Sequence, residues 1–147
     1  MRNSVFLALL GIVGAGIVGC ASNTETEPEP TATGSPTEIR AVEAGASAYL
    51  ASYYAKNIVE IRELSCGELR AQIGSMSDEA MTEKIAKAID AHGPARLDGF
   101  VNTTVTGNDG HITATVKYEH SLPDDIVTMK LANIDGRWKV CTYKVAP

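Results

Sequence analysis

The chain has 147 residues, of which 44% are hydrophobic and 5% aromatic, and its formal net charge at pH 7 is −5. No basic cluster interrupts this acidic balance, so the charge excludes a nucleic acid as an expected partner, because its phosphate backbone would be repelled. The length excludes two folded domains, since the roughly 110 residues that follow the N-terminal segments suffice for one hydrophobic core.

Residues 1–19 predict a secretory signal peptide. Arg2 supplies a basic head, a nearly uncharged run follows it, and the run closes in Ile17-Val18-Gly19-Cys20. This order is typical of a bacterial lipobox, in which the cysteine thiol takes the lipid. An uncleaved transmembrane anchor is the alternative, but about fifteen apolar residues are short for a hydrocarbon core about 30 Å thick. We expect an exported protein, anchored to the extracytoplasmic face of the cell membrane by a lipid on Cys20.

Residues 20–37 predict a disordered tether. The segment consists largely of Thr, Glu, Pro, Ser and Gly and contains no large apolar residue. Such a composition cannot bury enough surface to offset chain entropy. The folded domain is therefore expected over residues 38–147.

Three helices are predicted in the first half of this domain. In the first, apolar residues from Ile39 to Tyr54 recur at steps of three and four, which places them on one helical face. The second covers about residues 59–73. The third follows a cap-like run at residues 75–78 and ends at His92-Gly93-Pro94, because glycine can adopt the left-handed cap and proline cannot continue a helix.

Four strands are predicted after Pro94, where the hydrophobic period changes from helical to two. They cover about residues 97–106, 111–119, 125–134 and 137–145. The Asp135-Gly136 pair between the last two is a strong hairpin signal. Short turns throughout imply an antiparallel meander, so the predicted fold class is α+β, with three N-terminal helices packed on a curved four-stranded sheet.

Cys66 and Cys141 remain once Cys20 is assigned to lipid. Two cysteines left in an exported protein most often pair, so we predict a disulfide between them. Two buried free thiols are the alternative. No metal site is expected, because neither cysteine has a histidine near it in sequence and His92, His111 and His120 match no metal-binding spacing.

The lipobox, the Thr/Pro-rich tether, Leu64-Ser65-Cys66 and the run Gly136-Arg137-Trp138-Lys139-Val140-Cys141 resemble small exported lipoproteins of actinobacteria. Their domains are similar to the NTF2-like (cystatin-like) superfamily, including domains of unknown function. The resemblance covers residues 38–147 and implies a cone-shaped cavity between sheet and helices. It leaves the activity open, because the superfamily includes isomerases, dehydratases, cyclases, transport factors and binding modules.

Strand alternation suggests an interface. Trp138 and Val140 lie on one face of the last strand, and Cys141 lies on the other. If the disulfide places Cys141 on the helix-covered face, Trp138 and Val140 form an apolar patch for a partner or for a homodimer through the sheet. A β-bulge would reverse this assignment.

Three hypotheses about function remain. The favoured one is a non-catalytic domain, without a cofactor, that binds an envelope protein or a cell-wall component. The second is a carrier of a small apolar ligand in the cone cavity, lined by Tyr53, Phe100 and Met129. The third is an isomerase- or dehydratase-type enzyme in which Asp98 works with one of the tyrosines Tyr49, Tyr53 and Tyr54. Since tyrosines at helical spacing are more often core residues, we assign no catalytic residue.

Overall fold

The computed structural model describes residues 30–120 and 124–146. The predicted signal peptide and the predicted lipidation site Cys20 lie outside the described residues. Within the described part, no helix is both long enough and apolar enough to cross a membrane. The described residues form four helices and five strands in the order β1 (Thr31–Thr33), α1 (Pro36–Tyr54), α2 (Ile58–Glu63), α3 (Gly67–Gly74), α4 (Asp78–His92), β2 (Ala95–Thr106), β3 (Asp109–Tyr118), β4 (Asp125–Ile134) and β5 (Arg137–Val145).

The five strands form one sheet in the order β1-β2-β3-β4-β5. Strands β2 to β5 are antiparallel neighbours, whereas β1 runs parallel to β2. The turn between β4 and β5 is the predicted Asp135-Gly136 pair, with φ angles of 54° and 79°. A type I′ hairpin turn requires positive φ at both central residues. The predicted α+β class and the meander of β2 to β5 are confirmed, and the sheet has one strand more than predicted.

The predicted tether, residues 20–37, ends earlier than its composition indicates. Strand β1 pairs with β2, and Ser35 caps α1. The Ser35 hydroxyl accepts from the Glu38 amide at 3.3 Å, and the Glu38 carboxylate accepts from the Ser35 amide at 3.0 Å, which completes a capping box. The composition does not reveal β1 because this strand is held by backbone hydrogen bonds and its three side chains are exposed.

The second predicted helix is two helices, so the described residues contain four instead of three. Between α2 and α3 the helical hydrogen-bond pattern is interrupted by two backbone hydrogen bonds to β5. The Cys66 amide donates to the Val140 carbonyl at 2.8 Å, and the Val140 amide donates to the Leu64 carbonyl at 2.7 Å. The last helix, α4, begins and ends as predicted: Ser77 caps its start, and Gly93 follows its end with φ of +77°.

The core lies between the helices and one face of the sheet. Helix α1 contributes Val42, Ala46 and Leu50 to it, at most 4% exposed. The spacing of these residues is the helical period that predicted α1. The strands contribute alternate residues, including Ile112, Ala114, Val116, Val127, Met129 and Leu131, each at most 2% exposed.

The prediction that Trp138 and Val140 form an exposed patch is wrong. Trp138 is 8% exposed and Val140 is 0% exposed, and both belong to the core. The reason is a β-bulge in β5: Lys130 pairs with Thr142 and Leu131 pairs with Val140, so Cys141 is an extra residue. The extra residue shifts the alternation by one position. Val140 and Tyr143 therefore both face the helices, although they are three residues apart. These two residues therefore offer no surface for a homodimer.

Candidate functional site

A cleft of about 320 Å³ opens among α1, α3, α4 and the ends of β3 and β5. The chain contains five tyrosines, and every one of them lines this cleft. They come from three separate elements, α1, β3 and β5. We call this site the tyrosine cleft, after Tyr49, Tyr53, Tyr54, Tyr118 and Tyr143.

The floor of the cleft is apolar. Its deepest residues belong to the core and are at most 4% exposed: Leu50, Ile73, Met81 and Ile85. Leu69, Met76, Ala88 and Val145 extend this apolar lining. A largely apolar cavity with a few polar groups is the ordinary form of a small-molecule site.

The tyrosine rings pack against one another. The ring centroids of Tyr53 and Tyr54 lie 5.2 Å apart in an edge-on arrangement, and those of Tyr49 and Tyr143 lie 6.4 Å apart. Such pairs are held by the attraction between ring edges and ring faces. The second pair links α1 to β5, so the two elements form one continuous aromatic wall.

Two tyrosine hydroxyls interact with each other and with a carboxylate beside the cleft. The Tyr54 hydroxyl interacts with Tyr118, and both hydroxyls interact with Asp125. Burial raises the pKa of Tyr118 to about 12, and interactions with Tyr143 and Asp125 add to this shift. Burial also raises the pKa of Tyr54. Both hydroxyls therefore keep their protons at neutral pH.

The other three tyrosines leave their hydroxyls available. Burial raises the pKa of Tyr49, Tyr53 and Tyr143, so these groups are also neutral donors. No hydrogen bond joins their hydroxyls to another described residue. A bound molecule can therefore receive hydrogen bonds from them without displacing a protein partner.

The polar rim carries positive charge. Gln72, Lys84 and His92 line the cleft, and the His92 ring lies 5.5 Å from the Tyr118 ring. Among the described residues, no Asp or Glu lines it. The charge of the rim is therefore opposite in sign to the net charge of the chain, which has 18 acidic and 13 basic residues.

The predicted disulfide between Cys66 and Cys141 is present, and it fixes two walls of the cleft to each other. Cys66 is the N-cap of α3, and Cys141 is the bulged residue of β5. Helix α3 contributes Leu69, Gln72 and Ile73 to the cleft, while β5 contributes Tyr143 and Val145. The bond therefore holds the short helix α3 against the strand with which it shares the site.

The predicted ligand-binding residues are separated by the structure. Tyr53 lines the cleft, but Met129 is 2% exposed within the core, and Phe100 is half-buried on β2 away from the cleft. Both side chains face the helices, yet the core fills the space in front of them. The cavity lies nearer the end of β5 and the start of α4 than the sequence suggested.

The predicted pairing of Asp98 with a tyrosine is wrong. Asp98 is the extra residue of a bulge in β2, and its carboxylate lies 2.8 Å from the Lys117 ammonium and 3.6 Å from the Arg96 guanidinium. The hydrogen bond from Lys117 lowers the pKa of Asp98. The carboxylate next to the tyrosines is Asp125 instead.

The histidines do not gather. His92 lies at the rim of the cleft, whereas His111 and His120 are exposed and do not line it. Residues 30–120 and 124–146 contain no group of His, Cys, Asp and Glu side chains able to hold a metal ion.

The fold is the NTF2-like (cystatin-like) α+β fold, as comparison with solved structures shows. A protein of unknown function with a cystatin-like fold from Nostoc punctiforme aligns with a TM-score of 0.52 at 9% identity, over 77% of this chain and 92% of its own. A proposed ketosteroid isomerase from Shewanella frigidimarina aligns with a TM-score of 0.52 at 16% identity, over 72% of this chain and 94% of its own.

A third similar structure is a proposed aromatic ring hydroxylase from Novosphingobium aromaticivorans, with a TM-score of 0.50 at 14% identity, over 76% of this chain and 90% of its own. At such identities the likeness establishes the fold and leaves the activity open. No family model matches the chain, and no curated protein sequence matches it.

Proposed function

We propose that this chain is an exported, lipid-anchored protein whose domain binds a small, largely apolar molecule in the tyrosine cleft. The observation that carries the proposal is the convergence of all five tyrosines on one cavity with an apolar floor. A volume of about 320 Å³ falls at the lower end of the range for ligand sites, about 300 to 1,000 Å³. The lipobox at residues 17–20 supports the anchoring part.

We propose binding without turnover. The similarity to a proposed ketosteroid isomerase makes an isomerase the alternative among enzymes. An isomerase of this fold would need a base that faces its ligand. Asp125 does not line the cleft, and it interacts with the Tyr118 hydroxyl. Lys84 and His92 are exposed and lie on the rim of the cleft, not among the buried residues of its floor.

Native mass spectrometry of the protein released from its own cells tests the ligand. We expect a reproducible small-molecule adduct that is lost on denaturation. Ala88→Phe places a ring in the cleft and should remove the adduct, whereas Ala91→Phe, on the same helix but exposed and outside the lining, should retain it. A wild-type protein free of any adduct, or an adduct that survives Ala88→Phe, would refute binding in the cleft.

The anchor has its own test. Growth with a radioactive fatty acid should label the wild-type protein and leave Cys20→Ser unlabelled, because no lipid can be attached to the serine hydroxyl in place of the thiol. Equal labelling of both proteins, or no label in the wild type, would contradict lipid anchoring at Cys20.

The outer face of the sheet favours a second candidate, recognition of a cell-wall component. This face, opposite the helices, is polar and carries lysines that form no ion pair with a described residue. Register places two cross-strand rows on it: Asn102, Thr113, Thr128 and Lys144, and beside it Thr104, His111, Lys130 and Thr142. An anionic wall polymer would complement such a face.

Sedimentation with isolated cell walls tests this second candidate. We expect K130E/K144E to reduce the bound fraction, and the charge-matched control R40E/K87E, on the helices, to leave it unchanged. Equal losses in both variants would indicate a general charge effect and would contradict a specific role for the outer face.

A further inference from the structure

Among its described lining residues, the tyrosine cleft has one permanent positive charge and no negative one. Lys84 lines the cleft, and no ion pair joins it to any described residue. Lys87, three residues further along α4, pairs with Glu83 at 2.8 Å and does not line the cleft. The two lysines lie on the same helix and differ in their surroundings: Lys84 lines the cleft, whereas Lys87 pairs with Glu83.

Lys84 belongs to a stripe of α4 that faces the cavity. Met81, Ile85, Ala88 and His92 are the other members of this stripe, and their spacing follows the helical repeat. The stripe runs from an apolar floor at Met81 and Ile85 to a polar rim. Lysine suits this position because its aliphatic stem can lie along apolar surface while its ammonium stays at the rim.

We infer that the ligand of the tyrosine cleft is an amphipathic organic anion, with its apolar body between the tyrosine rings and its carboxylate or similar anionic group paired with the Lys84 ammonium. This inference rests on the proposed function, since it names the class of molecule that the cleft binds.

Three features of the site act together on such a ligand. The cavity has room for about ten water-sized groups, which suits an aromatic or short aliphatic body. The hydroxyls of Tyr49, Tyr53 and Tyr143 form no hydrogen bond with another described residue, so they can donate to the anionic oxygens. No described lining residue is a carboxylate, so Lys84 is the charge that a ligand meets within the cleft, while the Asp125 carboxylate lies outside the lining, beside Tyr118.

Two probes of nearly equal shape separate the contribution of the ligand's charge to affinity from that of its apolar body. 2-Naphthoate and 2-naphthamide share a bicyclic ring and differ in charge at the same substituent. By isothermal titration calorimetry, we expect the wild-type protein to bind naphthoate about three- to tenfold more tightly than the amide. Lys84→Gln should bring this ratio to about one, and Lys87→Gln should retain it. Raising the salt concentration should shrink the ratio in the wild type, because salt screens an ion pair at an exposed rim.

Each outcome decides a different statement. Equal binding of both probes by the wild type would overturn the anion inference and leave the cleft as a site for neutral molecules. A naphthoate preference that persists in Lys84→Gln would overturn the role of Lys84. Binding of neither probe would overturn the choice of an amphipathic anion, and the native adduct measurement would then decide separately whether the cleft is a ligand site. Lys84 is exposed, so its replacement is not expected to affect folding.

Discussion

Gly45 allows helix α1 to approach strand β5, and its replacement by alanine tests the packing on which the cleft depends. A Cβ atom at position 45 would lie 2.6 Å from the Trp138 Cβ and 3.0 Å from the Trp138 carbonyl oxygen. Both atoms are fixed by the β5 backbone, so no rotamer change can relieve the contact. Helix α1 and strand β5 must therefore move apart by several tenths of an ångström.

The magnitude follows from two opposing terms. Overpacking a well-packed core costs about 1–3 kcal/mol. Alanine in place of a helical glycine returns about 1 kcal/mol through helix propensity. Because both contacting atoms are fixed by the backbone, the cost falls in the upper part of that range, about 2–3 kcal/mol. Subtracting the helix-propensity gain, we expect Gly45→Ala to lower the free energy of unfolding by about 1–2 kcal/mol, which for a domain of this size lowers the melting temperature by about 4–8 °C.

Urea unfolding followed by circular dichroism measures this change. The control is Gly74→Ala, at the end of α3, where an added Cβ meets no atom within 4 Å. We expect the control to be as stable as the wild type or up to about 1 kcal/mol more stable, because it gains helix propensity without a new contact. If Gly45→Ala were as stable as the wild type, α1 could not lie this close to β5, and the aromatic wall formed by Tyr49 and Tyr143 would be misplaced.

Three further predictions concern the cleft and its supports. The pKa values of all five tyrosines are raised above the ordinary value of about 10, so the folded protein should show little tyrosinate absorbance until it unfolds. The free energy of unfolding should be unaffected below about pH 10 and should fall as the pH rises toward 12. The reason is that the tyrosines of the unfolded chain ionise at a lower pH than those of the folded protein. A tyrosinate signal with a midpoint near pH 10 in the folded protein would contradict the burial of these rings. The double variant C66S/C141S should lose up to about 4.5 kcal/mol in urea unfolding, since the bond closes a loop across a sequence separation of 75 residues; an unchanged midpoint would argue against the bond. Tyr118→Phe and Tyr54→Phe should each cost about 1 kcal/mol in urea unfolding, and the double variant should cost less than their sum, because the two hydroxyls interact with each other; strictly additive costs would contradict that interaction.

Much of the fold can be predicted because its signals are local. The cap at Ser77, the stop at Gly93 and the turn at Asp135-Gly136 depend on the φ angles and side-chain oxygens of a few adjacent residues. The break between α2 and α3 is different. Helical periodicity continues through residues 59–73. The segment is divided by two hydrogen bonds with Val140 of distant β5, whose amide donates to the Leu64 carbonyl and whose carbonyl accepts from the Cys66 amide.

The site is harder to predict than the fold, because it joins residues that are remote in sequence. The helical period places Tyr49, Tyr53 and Tyr54 on one face of α1, which is why the sequence suggests a role for them. Nothing near Tyr118 or Tyr143 indicates that these strand residues meet the helix. The one available signal is the composition: five of the eight aromatic residues are tyrosines, an excess that is consistent with a shared site.

The bulge at Cys141 links the core, the disulfide and the cleft. Regular alternation along β5 would place Trp138 and Val140 on one face and Tyr143 and Val145 on the other. The extra residue lets both pairs face the helices, the first in the core and the second in the cleft. It also leaves Cys141 outside the strand pairing, at the place where Cys66 arrives with the start of α3. The aromatic wall of the cleft therefore depends on a single irregularity in one strand, and the disulfide holds the chain at that irregularity.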